Sequence, residues 1–89
     1  MNEHLLEKSF QNYAQLVKML PMRPNDEDLL LLYGYYKQAT LGNCTTTKPQ
    51  GLFAEKEKRK WDAWNKMKDK ESNEAMILYI EKVKSLQIK

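Results

Sequence analysis

Eighty-nine residues are enough for one small domain, expected over 1–89, and leave no room for a second core. With 42% hydrophobic, 30% charged and 10% aromatic residues the chain has the balance of a packed globular domain. At this length only about 60 to 65% of the unfolded surface is buried, which excludes a deep enclosed active site. Fifteen Lys and Arg against twelve Asp and Glu give a net charge of +3, low for a protein held to nucleic acid by its phosphates.

Taken in chain order, the first segment places Leu6, Phe10, Tyr13, Val17 and Leu20 at steps of four, three, four and three, which predicts a helix over residues 4–20. Pro21 and Pro24 bracket a break. Asn25 is suited to cap a second helix reaching residue 41, with Asp26, Glu27 and Asp28 set against the positive end of its dipole. Gly42 suits a left-handed C-terminal cap, and a long loop with three consecutive threonines and Pro49 follows to residue 52. A third helix over 54–68 carries Trp61 and Trp64, and a fourth over 72–88 sets Met76, Tyr79, Ile80, Val83 and Leu86 at helical spacing. No segment alternates as a strand does. Four amphipathic helices predict an all-α four-helix bundle, and the long loop permits a crossover connection.

Residues 29–36, the longest strongly apolar run without a charge, are too short to cross a bilayer of about 30 Å, and the N-terminal residues Glu3, Glu7 and Lys8 interrupt any secretory leader. Cys44, the single cysteine, cannot close an internal disulfide. A cytoplasmic protein without stable membrane insertion is the expectation.

Residues that do chemistry are scarce. His4 and Cys44 are the only histidine and cysteine, they are far apart in sequence, and no further ligands stand at metal-site spacing, so no catalytic residue, metal or cofactor is expected. The basic residues are concentrated instead: Lys56, Lys58, Arg59, Lys60, Lys66, Lys68 and Lys70 account for seven of the fifteen. On the second helix Tyr33, Tyr36 and Lys37 are related by three and four residues and emerge on one side. Two readings follow: the tyrosines line the core with Lys37 in solvent, or all three serve one ligand. Lys56 and Lys60 form a second basic row, four apart on the third helix.

The run Tyr33-Gly34-Tyr35-Tyr36-Lys37-Gln38-Ala39-Thr40, followed by Gly42, Pro49, Gly51, the spaced lysines Lys56, Lys58 and Lys60, and Trp61-Asp62-Ala63-Trp64-Asn65, resembles the acyl-CoA-binding protein family. Glu74-Ala75-Met76 and Tyr79-Ile80-Glu81-Lys82-Val83 extend the resemblance, which spans about residues 10–86. It implies an up-down-down-up bundle and a non-covalent carrier of long-chain fatty acyl-CoA esters; a monomer is expected because the sequence shows no dimer seam. It also implies ligand contacts at Lys18, Tyr33, Gly34, Tyr35, Tyr36, Lys37, Lys56, Lys60 and Tyr79. By side-chain type, Lys37 and Lys60 suit the coenzyme A phosphates, with Lys18 and Lys56 flanking the head. The Tyr36 ring suits adenine, and the Tyr33 and Tyr79 hydroxyls suit phosphate or ribose oxygens. Phe10, Tyr13, Val17, Met22, Leu29 and Leu30 are candidates for an acyl groove or for the core. Trp61 and Trp64 are divided between packing and ligand contact.

Three features depart from the family pattern. Gln50 separates Pro49 from Gly51 and lengthens the loop by one residue; Glu57 and Arg59 stand where small residues are usual; and the fourth helix can be capped by Asp69 or by Ser72. A helical nucleic-acid-binding module is the competing reading, resting on lysines interleaved with tryptophans. An enzyme acting on acyl-CoA finds no nucleophile or base to support it. The ester is thus the expected partner, with nucleic acid excluded and with acyl-CoA-using enzymes or membranes as transient contacts.

Overall fold

The computed structural model describes residues 3–88 and contains four α-helices and no strand among them. They are α1 (Glu3–Leu16), α2 (Asp26–Leu41), α3 (Glu55–Asn65) and α4 (Ser72–Gln87). A 3₁₀ turn, Val17–Met19, follows α1. The first helix is therefore shorter than its apolar stripe predicts. Leu20 precedes Pro21, whose ring excludes the helical region for the residue before it, and Leu20 adopts φ −64°, ψ 140°.

Asn25 caps α2 as expected: its Oδ1 accepts from the Asp28 amide at 2.8 Å. Gly42 closes the helix with its amide donating to the Gln38 carbonyl. Its φ of 80° has the expected sign, but ψ of −154° lies outside the left-handed helical basin, so the chain leaves extended. The third helix begins and ends inside its predicted span. Ala54 is its N-cap, and after Asn65 the bonds tighten to i+3 turns, Met67 N–H to Trp64 and Lys68 N–H to Asn65. Glu71, neither Asp69 nor Ser72, occupies the N-cap of α4. Ser72 is its first residue and spends its hydroxyl on the Ala39 carbonyl, 2.6 Å away. Asp69, at φ 72°, makes the reversal between α3 and α4.

Contacts between helices fix their directions. The start of α4 meets the end of α2 through Ser72 and Ala39, while Lys82 Nζ lies 2.6 Å from Asp28 Oδ1 at the start of α2, so these two run antiparallel. The α2–α3 pair is parallel: Lys60 sits over Tyr33, and further along both helices Trp64 Nε1 donates to the Gly42 carbonyl at 2.8 Å. Phe10 packs on Tyr79 and Lys84 lies over Tyr13, so α1 and α4 run the same way. The result is up-down-down-up. Long as it is, the loop between α2 and α3 must carry the chain back along the molecule to start a parallel helix.

The core lies between α1, α2 and α4, with Phe10 and Val83 fully buried and Leu6, Leu32, Ala75, Met76, Tyr79 and Ile80 around them. Gln38 is also fully buried. Its Nε2 donates to Asn43 Oδ1 at 2.8 Å and to the Lys70 carbonyl at 2.9 Å, and Asn43 Oδ1 also accepts from the Asp69 amide. One amide group thus ties the end of α2 to the turn before α4.

Candidate ligand-binding site

Parallel packing of α2 on α3 brings their two basic rows together. Tyr33 and Lys37 are one turn apart on α2, Lys56 and Lys60 one turn apart on α3, so each helix offers a pair on a single side. Lys60 Nζ lies 5.2 Å from the centroid of the Tyr33 ring, and Lys37 Nζ lies 5.8 Å from the same centroid and 5.1 Å from that of Trp64. The phenol ring is flanked by two ammonium groups. Neither ammonium group belongs to a described ion pair; those are Arg23–Asp26, Lys48–Asp62, Lys70–Glu74 and Lys82–Asp28. Cation–π attraction offsets part of the repulsion between the two charges, and a bound anion would offset the rest.

Close approach of the helices depends on Gly34. A Cβ there would meet the Ala63 carbonyl oxygen at 2.5 Å, closer than such atoms pack, so only glycine lets the α3 backbone sit this near. The two tryptophans hold the loop that precedes α3. Trp61 Nε1 donates to the Thr46 carbonyl at 2.9 Å and Trp64 Nε1 to that of Gly42, and Lys48 bridges Trp61 and Asp62. Buried Trp64 therefore packs the bundle and supports Lys37 from behind.

A cleft of about 690 Å³ opens beside these groups. Leu29 and Leu30 supply its apolar wall, and Tyr33, Glu55, Lys56, Arg59 and Lys60 line it together with Arg23, which precedes α2, and Asp26, its first residue. Leu29 and Leu30, named as groove or core, line this cleft half-buried. Phe10 belongs to the core, while Tyr13 and Val17 pack against it half-buried. Met22 is exposed.

A second aromatic group adjoins the first along α2. The Phe10, Tyr36 and Tyr79 centroids are 5.1 to 6.1 Å apart, with Phe10 and Tyr79 edge to face. Phe10 and Tyr79 are buried, whereas Tyr36 is the member that faces solvent and can carry a flat ligand ring. Burial raises the Tyr79 hydroxyl above the usual tyrosine range, with Tyr36 adding to it; burial, then Glu57 and Cys44, raise Tyr33. Both phenols are held protonated, as hydrogen-bond donors.

The sequence-derived candidates thus divide. Tyr33, Lys56 and Lys60 line the cleft with Lys37 beside the Tyr33 ring, and Tyr36 and Tyr79 form the adjoining ring group. Gly34 is buried under Ala63, Tyr35 packs against the core cluster, and Lys18 stands exposed on the 3₁₀ turn. Arg23 and Arg59 were not singled out as ligand contacts, yet both line the cleft. Arg59 was readable, since Lys56, Arg59 and Lys60 share one helix face; Arg23 was not, because only tertiary folding sets it opposite α3. His4 is exposed in the first turn of α1, and the Cys44 sulfur is 3.4 Å from the Thr46 hydroxyl. No group of three or more His, Cys, Asp or Glu side chains stands together at metal-binding range among the described residues.

An up-down-down-up bundle with a cationic, ring-lined cleft between its parallel helices defines a class of small helical binding proteins. A model of the family described as "Acyl CoA binding protein" matches residues 7–83, and the chain belongs to that family. It is 52% identical over 81 residues to the acyl-CoA-binding protein of Brassica napus, covering 91% of this chain and 87% of that one. It is 50% identical over 82 residues to acyl-CoA-binding domain-containing protein 3 of Oryza sativa, covering 92% of this chain but spanning about half (52%) of that relative. The crystal structure of Oryza sativa acyl-CoA-binding protein 2 superposes with a TM-score of 0.84 at 49% identity, covering 91% of this chain and 89% of that one. That of the Moniliophthora perniciosa protein gives 0.83 at 31% identity, covering 90% and 78%.

Proposed function

We propose that the protein binds long-chain fatty acyl-CoA esters non-covalently, buffers them and carries them through the cytoplasm as a monomer, leaving the thioester intact. The observation that carries this reading is the pair of ammonium groups, Lys37 and Lys60, held about one ring by two parallel helices and outside the described ion pairs. Coenzyme A presents a 3′-phosphate and a diphosphate, and their oxygens satisfy both ammonium groups together with the Tyr33 hydroxyl. Tyr36 takes the adenine face, Lys56 and Lys18 steady the head, and Tyr79 donates from below. Gly34 and Tyr35 act through packing. Leu29 and Leu30 begin the apolar wall that receives the tail. The names of the relatives, each called an acyl-CoA-binding protein or domain, support the same ligand.

Magnitudes decide what must be bound at once. A tail of roughly sixteen carbons offers about 12 kcal/mol of gross burial at ~0.8 kcal/mol per CH₂, before association and ordering costs. The head alone offers a few charge-assisted hydrogen bonds of about 1.5–3 kcal/mol each. Neither half suffices in an open cleft. Calorimetry with palmitoyl-CoA, free coenzyme A and palmitate tests the proposal: only the intact ester binds tightly. Equal affinity for a detached half, or no affinity for the ester, overturns it. A thiol-release assay is expected to show no hydrolysis of the bound thioester.

A further inference from the structure

A second cleft, of about 670 Å³, opens on the bundle and has no part in the binding mode described so far. Leu30 and Leu31 from α2, Ala63 from α3 and Met67 just beyond it form its apolar surface. Leu30 and Arg59 line both this cleft and the first. The two clefts therefore meet at a divide made of one apolar side chain from α2 and one guanidinium from α3. Three acids, Glu27, Asp28 and Asp62, and three cations, Arg59, Lys66 and Lys82, surround the second cleft. Two of the acids already hold cations: Lys82 lies 2.6 Å from Asp28, and Lys48, which is not a lining residue, lies 3.0 Å from Asp62. Arg59 and Lys66 are exposed and belong to no described ion pair. Seven residues apart, they are two turns along one face of α3 and its C-cap.

We infer that the second cleft is a subsite for the carboxylate end of an ω-carboxylated acyl chain, so that the protein takes the CoA monothioesters of long-chain dicarboxylic acids, with Arg59 selecting them. The inference rests on the proposed carrier function and deepens it by naming a class of tail. A chain that starts along Leu29 and Leu30 runs past Leu30 to the divide, where it meets Arg59. A hydrocarbon end laid there takes water from the guanidinium and returns no hydrogen bond, which costs free energy. A carboxylate end returns two: guanidinium and carboxylate match as parallel forks, and Lys66 adds a second positive charge on the same helix face. The methylenes before it lie on Leu31, Ala63 and Met67. Glu27 is the acid of this cleft outside the described ion pairs, so the two cations Arg59 and Lys66 outweigh it and an anion is favoured.

Calorimetry on the intact protein tests this with two esters, palmitoyl-CoA and the CoA monothioester of hexadecanedioic acid, and the quantity read is the ratio of their affinities. Wild type is expected to bind both. Arg59→Met keeps a long side chain but removes the charge: the dicarboxylic ester weakens about 10- to 100-fold, while palmitoyl-CoA is held at least as tightly and helical circular dichroism is unchanged. Arg59→Lys keeps the charge without the fork and is expected to fall between wild type and Arg59→Met. A ratio unaltered by Arg59→Met overturns the inference, as does a wild type that binds palmitoyl-CoA and fails to bind the dicarboxylic ester. Equal weakening of both esters also overturns it, because Arg59 then serves the common head. A third ester, ω-hydroxypalmitoyl-CoA, separates charge from polarity: a loss in Arg59→Met as large as that of the dicarboxylic ester refutes a carboxylate site. All of these outcomes leave palmitoyl-CoA binding by the wild type intact, whereas its absence refutes the carrier proposal itself.

Discussion

Lys37 and Lys60 approach the same ring from different helices, and each is exposed enough to be lost without a packing defect. Lys37→Ala and Lys60→Ala are therefore expected to weaken palmitoyl-CoA binding about 10- to 100-fold, the worth of a charge-assisted bond of ~1.5–3 kcal/mol, at nearly unchanged helical content. Calorimetry checks each residue separately, and an unaltered isotherm removes it from the site. Raised salt weakens the wild type more than either variant, because one fewer cation is left to screen. Tyr33 and Tyr79 make a prediction with the opposite dependence on protonation. Their hydroxyl pKa values are raised in the fold by burial, so the unfolded chain ionises first near pH 10. Above that pH the unfolded state binds fewer protons than the folded one, and stability falls as pH rises toward the folded values. Denaturant midpoints measured from pH 8 upward should be flat and then decline, and the decline should shrink in Tyr33→Phe.

At the scale of the helix, contact between α2 and α3 is set by a missing side chain. Gly34→Ala puts a methyl against backbone carbonyl, which cannot rotate away as a side chain would, so the helices must part. We expect a loss of about 1–3 kcal/mol by chemical denaturation, together with weaker ligand binding, because residue 34 is buried between the two helices that carry the cations. Lys37 and Lys60 are drawn apart with their helices. Gln38 plays a comparable part at the far end of α2. Replacing it with Leu removes both Nε2 bonds, to Asn43 and to the Lys70 carbonyl, and should cost about 1–3 kcal/mol while leaving the cleft residues in place. A lower midpoint with an unchanged ligand isotherm separates this role from that of Gly34.

For the molecule as a whole, the up-down-down-up order is what makes binding possible. Antiparallel neighbours joined by short turns could not have set the starts of α2 and α3 side by side; the long loop, held by Trp61 and Trp64, does. In the proposed binding mode the ligand bridges two helices and acts as a clamp. At a hundredfold excess over its dissociation constant, a ligand that binds only the folded state adds about 2.7 kcal/mol, so palmitoyl-CoA should raise the melting temperature by several degrees and free coenzyme A by much less. Differential scanning calorimetry at fixed ligand excess measures both.

The amino-acid sequence determined what is local or periodic. Helix positions followed from apolar spacing and from caps such as Asn25, and the motifs between Tyr33 and Asn65 carried the family and the cations Lys37, Lys56 and Lys60, because a 3.6-residue period places i and i+4 on one face whatever surrounds the helix. Helix ends were less legible where a competing local force acted, as at Leu20 before Pro21 and at the tightened turns after Asn65. Only the tertiary structure separated the core ring Phe10 from the cleft-lining residues Leu29 and Leu30, set Gly34 against the α3 backbone, and brought Arg23 to the cleft that α3 also lines. Those outcomes depend on which face of one helix another helix covers, and side chains of the same chemical type, at the same spacing, become core or cleft according to the partner that closes over them.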